Sequence, residues 1–427
     1  MVFKEDFLHY LWRFRRLSLD ELTTVEGEYI TILHPGAHNH NGGPDFHDAR
    51  IRIDRTLWAG NVEIHINASD WYRHNHNLDR AYDNVILHVV FNADVKVFRP
   101  DGNIIPCLEI KDRIDVRLIR QYRSLMSEKT DIACAGLFEK VDSVIKTAWL
   151  ERLMIERLES KTKKILDILN FHKNDWEAAF YEVLAAGFGL KENSHQFGLL
   201  ARTLPLNIIR KHQGQGFQLE ALFFGQAGFL ETDFEDEYPK RLQQEFLFLK
   251  KKYRLTPLKA CAWKFLRMRP SGFPTIRIAR FATFLAARKK LFSFLETAMI
   301  PGDFMKWVSL PISEYWSNHY RFDQMAKRNT GAIGHGFADV LLINVVVPFM
   351  FLYGKIRSNE KMRQKAVNWY EAVKAENNKI TRLWQQLDVN VDSAGLSQAL
   401  IHLKSDYCDK KRCLNCAIGV SLLRSSQ

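Results

Sequence analysis

The chain has 427 residues, enough at ~100 to 200 residues per domain for two or three domains, which excludes a single small module. Hydrophobic residues at 46% and charged residues at 26%, with 12 Pro and 22 Gly, exclude a disordered, linker-rich or fibrous chain. A formal charge of +12 favours a polyanionic partner, and six cysteines are too sparse for a secreted disulfide framework, so clustered ones read as metal ligands or redox groups.

The chain opens with MVFKEDFLHYLWRF, where Phe3, Phe7, Leu8, Leu11 and Trp12 follow helical spacing. Glu5 and Asp6 interrupt the apolar run a signal peptide needs, and no small-residue cleavage pattern follows, so a cytoplasmic location is expected. Short strand-like segments come next: YITIL (29–33), ARIRI (49–53), NVEIHI (61–66), VILHVVF (85–91) and IIPCLEI (104–110). The continuous apolar run at 85–91 predicts a central strand buried on both faces, whereas 49–53 alternates Ala and Ile with Arg and should have one wet face. Residues 1–112 thus read as an α+β unit, a mixed sheet with flanking helices.

Beyond residue 112 helical periodicity dominates, as in IKTAWLERLMIERLESKTKKILDIL (145–169), and residues 113–400 read as mostly α-helical, divided by Pro205, Pro257, Pro270, Pro274, Pro301 and Pro311. Between 251 and 290 twelve Lys or Arg stand with no Asp or Glu. This basic stretch, interleaved with Tyr253, Trp263, Phe265, Phe273, Phe281 and Phe284, suits either a solvated helix face or a phosphate backbone. The apolar run 340–353 is shorter than the roughly 18 to 20 residues that span a bilayer and contains Asn344 and Pro348, so it predicts a buried helix and no membrane association. Residues 401–427 form a third, cysteine-bearing segment.

Eight of the fifteen histidines lie between His34 and His88, together with Asp45, Asp48, Glu63, Asp70, Asp79 and Asp83, which points to a polar site. His34, His38, His40 and His47 flank turn signals at Gly36 and GGP (42–44) and read as loop residues. The sharper feature is GPDF (43–46) followed by GNVEIH (60–65). On a strand, Glu63 and His65 share one face while Val62, Ile64 and Ile66 share the other, so burial of the apolar face fixes a carboxylate beside an imidazole. If the strand carrying Asp45 lies next to it, two carboxylates converge on a hard divalent cation, Mg²⁺ or Mn²⁺, with the Ile64 carbonyl as a further oxygen and His65 beside the metal-bound water. His74, His76, Asp79 and His88 offer a second metal reading, because His-x-His presents two imidazoles from an extended segment. With no third ligand at close spacing, His74 and His76 read as capping or solvent-facing residues, with Trp71 and Tyr72 packed on the sheet, and a place for the group in the same cleft as Glu63 stays open.

These residues resemble the PD-(D/E)XK nuclease superfamily, whose sites carry an Asp after a turn and then an acidic residue, any residue and Lys on the next strand. Asp45 and Glu63 match the two acids, and His65 stands at the lysine position. The resemblance covers about the first 110 residues and implies a restriction-endonuclease-like fold with nuclease activity on DNA or RNA. It also implies a glutamate from the first helix, for which Glu5 is nearest by position and Glu21 second. A His is cationic only when its pKa permits, whereas Lys is a permanent cation, so His65 leaves two readings open: a metal-dependent nuclease with Asp45, Glu63 and His65 catalytic, or a non-catalytic nucleic-acid-binding or scaffolding protein. SDWYRHNHNLDRAYDNVILHVV (69–90) and the C-terminal cysteines also resemble a bacterial domain-of-unknown-function family spanning essentially the whole chain.

Cys408, Cys413 and Cys416 stand as C-x4-C-x2-C, a spacing that brings thiolates to one metal, Zn²⁺ or an iron-sulfur cluster, with Lys410, Lys411 and Arg412 favouring the thiolate forms. Some PD-(D/E)XK nucleases pair one remote cysteine with a C-terminal trio, which makes Cys134 the preferred fourth ligand and His402 the alternative. Cys107 and Cys261 read as small core residues. Neither a Walker A loop, a dinucleotide fingerprint nor a G-x-S-x-G elbow is present.

Overall fold

In the computed structural model, which describes residues 3–39, 41–326 and 333–424, helix α1 (Glu5–Arg13) carries Glu5 and Asp6 in its first turn and Arg13 in its last, charges that complement the helix dipole. It buries Phe7, Leu8, Tyr10, Leu11 and Trp12, while Glu5 and His9, one turn apart, share a less buried face. Six strands follow: β1 (Ile30–His34), β2 (Ala37–His38), β3 (Phe46–Ile53), β4 (Thr56–Asn67), β5 (Val85–Asn92) and β6 (Cys107–Glu109). They form one sheet in the order β1-β3-β4-β5-β6, with β2 pairing β3. Pairs β1/β3, β2/β3 and β3/β4 are antiparallel, and β4/β5 and β5/β6 are parallel, so the sheet is mixed. The all-apolar run lies in the interior strand β5, whose residues 85–91 are all buried, and β3 alternates buried Ala49, Ile51 and Ile53 with exposed Arg50 and Arg52.

The chain divides into two units, Met1–Trp149 with Leu403–Gln427, and Leu150–His402. This departs from breaks after residues 112 and 400. Helix α2 (Asp70–Arg73) lies between β4 and β5, and helix α3 (Val116–Ser127) follows β6. Leu118 and Tyr122 of α3, Ile114, and Leu414 and Leu423 from the C-terminal segment enter the same core as α1 and the sheet. The first 112 residues leave that core open, and the later apolar faces close it. A smaller core on the other sheet face gathers Trp71, Tyr82, Val85, Val90, Val97, Ile105 and Cys107.

Among its described residues the second unit is helical apart from the ribbon His319–Arg321 with Gln324–Met325 and an isolated bridge between Lys374 and Ser393. Its helices Pro274–Ala287 and Pro301–Val308 start at prolines, as the breakers predicted. The basic stretch 251–290 is not one surface. Arg267 and Arg269 are exposed, but Arg277 is 7% exposed, with its guanidinium 3.5 Å from the Phe337 ring centroid, and Trp263, Phe281 and Phe284 are buried. The interleaved aromatics serve the core because Pro274–Ala287 is buried along most of its length. The helical run His335–Ile356 is long and apolar enough to cross a membrane by length and composition, and 67% of its most apolar window is buried in the fold.

Candidate metal centre

Strand β4 sorts its side chains as its alternation predicts: Val62 and Ile64 enter the larger core, and Glu63 and His65 occupy the opposite face. That second face is also covered, leaving Glu63 4% and His65 2% exposed. Asp45 precedes β3, and the pairing of Phe46 with Val62 brings it alongside Glu63. The loop before it is tightly set: Gly36 has φ +91°, and a Cβ there would lie 2.7 Å from the His47 carbonyl oxygen. Asp45 N–H donates to Glu63 Oε2 at 3.1 Å, and Ile64 N–H donates to Asp45 Oδ2 at 3.0 Å. Each acid is thus held by a backbone donor from the other's segment. Helix α1 contributes His9, whose Nε2 lies 3.1 Å from Asp45 Oδ2. Its Glu5 is raised in pKa by burial and then by Asp45, with His74 and His9 opposing. Glu21, the second helix-acid candidate, is exposed.

The histidines taken above for capping or solvent-facing residues converge here. Parallel pairing sets Glu63 opposite His88, and His65 Nδ1 lies 2.9 Å from His88 Nε2. His74 Nδ1 lies 3.2 Å from His65 Nε2, and His76 Nε2 lies 3.2 Å from Glu63 Oε1. Ligand nitrogens of His65, His74 and His76 all fall within 4.8 Å of one another. The third imidazole beside His74-x-His76 is His65, nine residues upstream on β4. The chain presents the pair from a turn, with Asn75 at φ +61°, instead of from an extended segment. Trp71 is buried in the smaller core, whereas Tyr72 is exposed, and Asp79 caps a turn by accepting Ala81 N–H. His76 stacks on Tyr82 at 3.8 Å between ring centroids.

Burial raises Glu63 to about 7, with Asp45 adding to the shift and His76 opposing it. Burial and the neighbouring imidazoles push His65 down to about 2 and His88 to about 3. His65 is therefore neutral at pH 7 and does not replace a lysine's permanent charge. Asp45 outweighs the burial of His9, whose pKa rises. Of the remaining loop histidines, His34 Nδ1 accepts Gly36 N–H, His38 stacks on Phe46 and His47 meets Asn61; His40 lies outside the described residues.

Cys134, Cys408, Cys413 and Cys416 all belong to the first unit, and the thiols are close enough for Cys408 to feel the charge of the other three. Burial pushes Cys134 up to about 12 and Cys413 to about 11, and raises Cys408 and Cys416. The adjacent cations do not offset this: Lys410 pairs with Asp406 at 2.6 Å and Lys411 donates to the Glu128 carbonyl. The Cys416 sulfur is bonded by the backbone of Ile418 and Gly419 and by the Trp149 side chain. His402, the alternative ligand, sits 3.5 Å from Glu156 in the second unit.

No curated protein and no solved structure matches this chain. A family model described as "Protein of unknown function (DUF2851)" matches residues 5–379, a span that contains Glu5, Asp45, Glu63 and all the clustered histidines but stops before Cys408. Over nearly its full length, then, the chain belongs to the DUF2851 family.

Proposed function

We propose that the first unit is a PD-(D/E)XK-like, restriction-endonuclease-like domain that hydrolyses phosphodiesters of DNA or RNA with Mg²⁺ or Mn²⁺ held by Asp45 and Glu63. The observation that carries this reading is the reciprocal bonding of the two acids, Asp45 N–H to Glu63 Oε2 and Ile64 N–H to Asp45 Oδ2, which leaves Asp45 Oδ1 and Glu63 Oε1 outside the backbone bonds. Two hard oxygens fixed side by side suit such a cation. Bound there, it supplies Lewis acidity at a phosphoryl oxygen. Glu5 and His9 line the α1 side of the site, and neutral His65, on the same strand face as Glu63, lies beside the attacking water. The water oxygen forms a bond to phosphorus, the phosphorus–oxygen bond to the leaving sugar breaks, the water's proton passes to solvent, and the leaving oxygen takes a proton in return.

Nucleic acid as substrate is supported by a cavity of about 1070 Å³ in the same unit, lined by Lys4, Arg120, Arg123, Lys410, Lys411 and Arg412, with Asp6 of α1 at its wall. A second reading, a non-catalytic nucleic-acid-binding or scaffolding protein, draws support from the neutrality of His65 at the lysine position. Incubating purified protein with labelled single- and double-stranded DNA and RNA, in Mn²⁺ or EDTA, separates the two. Cleavage in Mn²⁺ that is lost in Asp45→Asn is expected. Salt-sensitive binding without cleavage selects the second reading, and absence of both rejects each.

A further inference from the structure

We infer that His65, His74 and His76 form a second cation site that takes a borderline, imidazole-preferring divalent ion of the Zn²⁺ class, next to the hard cation proposed between Asp45 and Glu63 and with the Glu63 carboxylate shared between the two. Three imidazoles converge on one place, and Glu63 borders it. The three imidazoles have ligand nitrogens within 4.8 Å of one another, and Glu63 Oε1 lies 3.5 Å from His65 Nε2 and 3.2 Å from His76 Nε2. Imidazole and carboxylate donors in this number match a tetrahedral Zn²⁺ set, whereas Mg²⁺ prefers oxygen alone.

The hydrogen bonding of His65 accommodates such an ion. A neutral imidazole carries one N–H, and the 2.9 Å contact between His65 Nδ1 and His88 Nε2 needs one hydrogen. If His65 Nδ1–H is the donor, its Nε2 presents a lone pair towards Glu63 Oε1 and His74 Nδ1, the tautomer a metal requires. His88, fully buried and with its own Nδ1 unpartnered among the described residues, then acts as a positioning residue that fixes the His65 ring. His74 is exposed and His76 half-buried, so the site opens to solvent on the α2 side, as a site that exchanges water or substrate must. Its service as the second ion of a phosphodiesterase rests on the function proposed above; its existence does not.

Cobalt tests it. Full-length protein stripped with chelator and titrated with Co²⁺ should take up one equivalent with the visible d–d absorption of four-coordinate cobalt on nitrogen and oxygen ligands, displaced by Zn²⁺. His74→Ala, at an exposed position with little bearing on folding, and His76→Ala should each abolish that band, and His88→Gln should weaken binding by roughly 10- to 100-fold. Cobalt on the cysteines would add a further equivalent with its own d–d band at longer wavelength and sulfur-to-metal charge transfer in the near ultraviolet, both of which His74→Ala leaves in place, so the band assigned to the imidazole site is the one that appears without charge transfer. Asp45→Asn should keep the d–d band even though it removes hydrolysis, so a protein that binds cobalt but cleaves nothing overturns the proposed function and leaves this site standing. A wild-type protein without the d–d band, or a band unchanged in folded His74→Ala and His76→Ala, overturns the site.

Discussion

Glu63 in the first unit and Glu220 in the second are both buried carboxylates, 4% and 2% exposed, and burial pushes both to about 7. Their partners differ in kind. Glu220 is met by donors: the Tyr238 hydroxyl, the Trp316 indole N–H at 3.1 Å and the Ser313 hydroxyl at 3.4 Å all converge on Oε2. Glu63 receives one backbone N–H on Oε2, while Oε1 faces two imidazole nitrogens and a second carboxylate stands alongside. A carboxylate met by three side-chain donors is a finished structural element, whereas one set between a second carboxylate and imidazole nitrogens has the surroundings that the proposed cation requires. Burial alone does not mark a site; the sign of the surrounding groups does.

The largest effect that would sharpen this contrast is on hydrolysis. Glu63→Gln should lower cleavage of nucleic acid in Mn²⁺ by about 10³-fold, ~4 kcal/mol of transition-state stabilisation, while Glu220→Gln leaves the rate near that of the wild type. Steady-state kinetics on both variants checks this, and an equal loss in the two would erase the distinction. The next effect is on stability against pH. Between pH 4.5 and 7 the folded chain keeps the Glu220 proton that the unfolded chain releases, so stability falls as pH rises through that window, by up to about 3 kcal/mol, and is level above it. Calorimetry of Glu220→Gln should show this share of the slope removed; an unaltered slope would mean that the three donors hold the carboxylate charged.

These contrasts were only partly legible in the sequence. The alternation of ARIRI, the unbroken apolar run at 85–91 and the spacing of Asp45, Glu63 and His65 are local patterns, and β3, β5 and the face of β4 follow from them. What local pattern does not carry is pairing. His88 reaches His65 because β4 and β5 run parallel in the register that sets Glu63 against His88. His74 and His76 reach it because Asn75 turns the chain left-handed. His9 was missed, though its position one turn after Glu5, away from the buried Phe7, Leu8 and Leu11, was a signal available from helical spacing. The charge run at 251–290 mixes exposed Arg267 with buried Arg277, a difference that a linear count of cations does not carry.

The four cysteines extend the comparison to sulfur. A metal on the four neighbouring thiols displaces their protons and ties the C-terminal segment to Cys134, so Cys413→Ser should lower the thermal midpoint of the first unit by about 4 to 8 °C, roughly 2 kcal/mol, with loss of bound zinc or iron by elemental analysis. An unchanged midpoint and no metal would leave free thiols. The smallest effect concerns the basic cavity. Arg123→Glu should weaken nucleic-acid binding by a few fold and reduce the salt slope by about 1, and the same change at exposed Arg267 should do neither. The reverse result would move the contact surface to the second unit.

Direct metal binding bears most closely on the claim that Glu63, unlike Glu220, awaits a cation. Titrating Mn²⁺ into the protein and following the free ion by electron paramagnetic resonance should give specific uptake by the wild type and by Glu220→Gln, and a loss of that uptake in Glu63→Gln and Asp45→Asn. Uptake in Glu63→Gln equal to the wild type, with the protein folded, would contradict it.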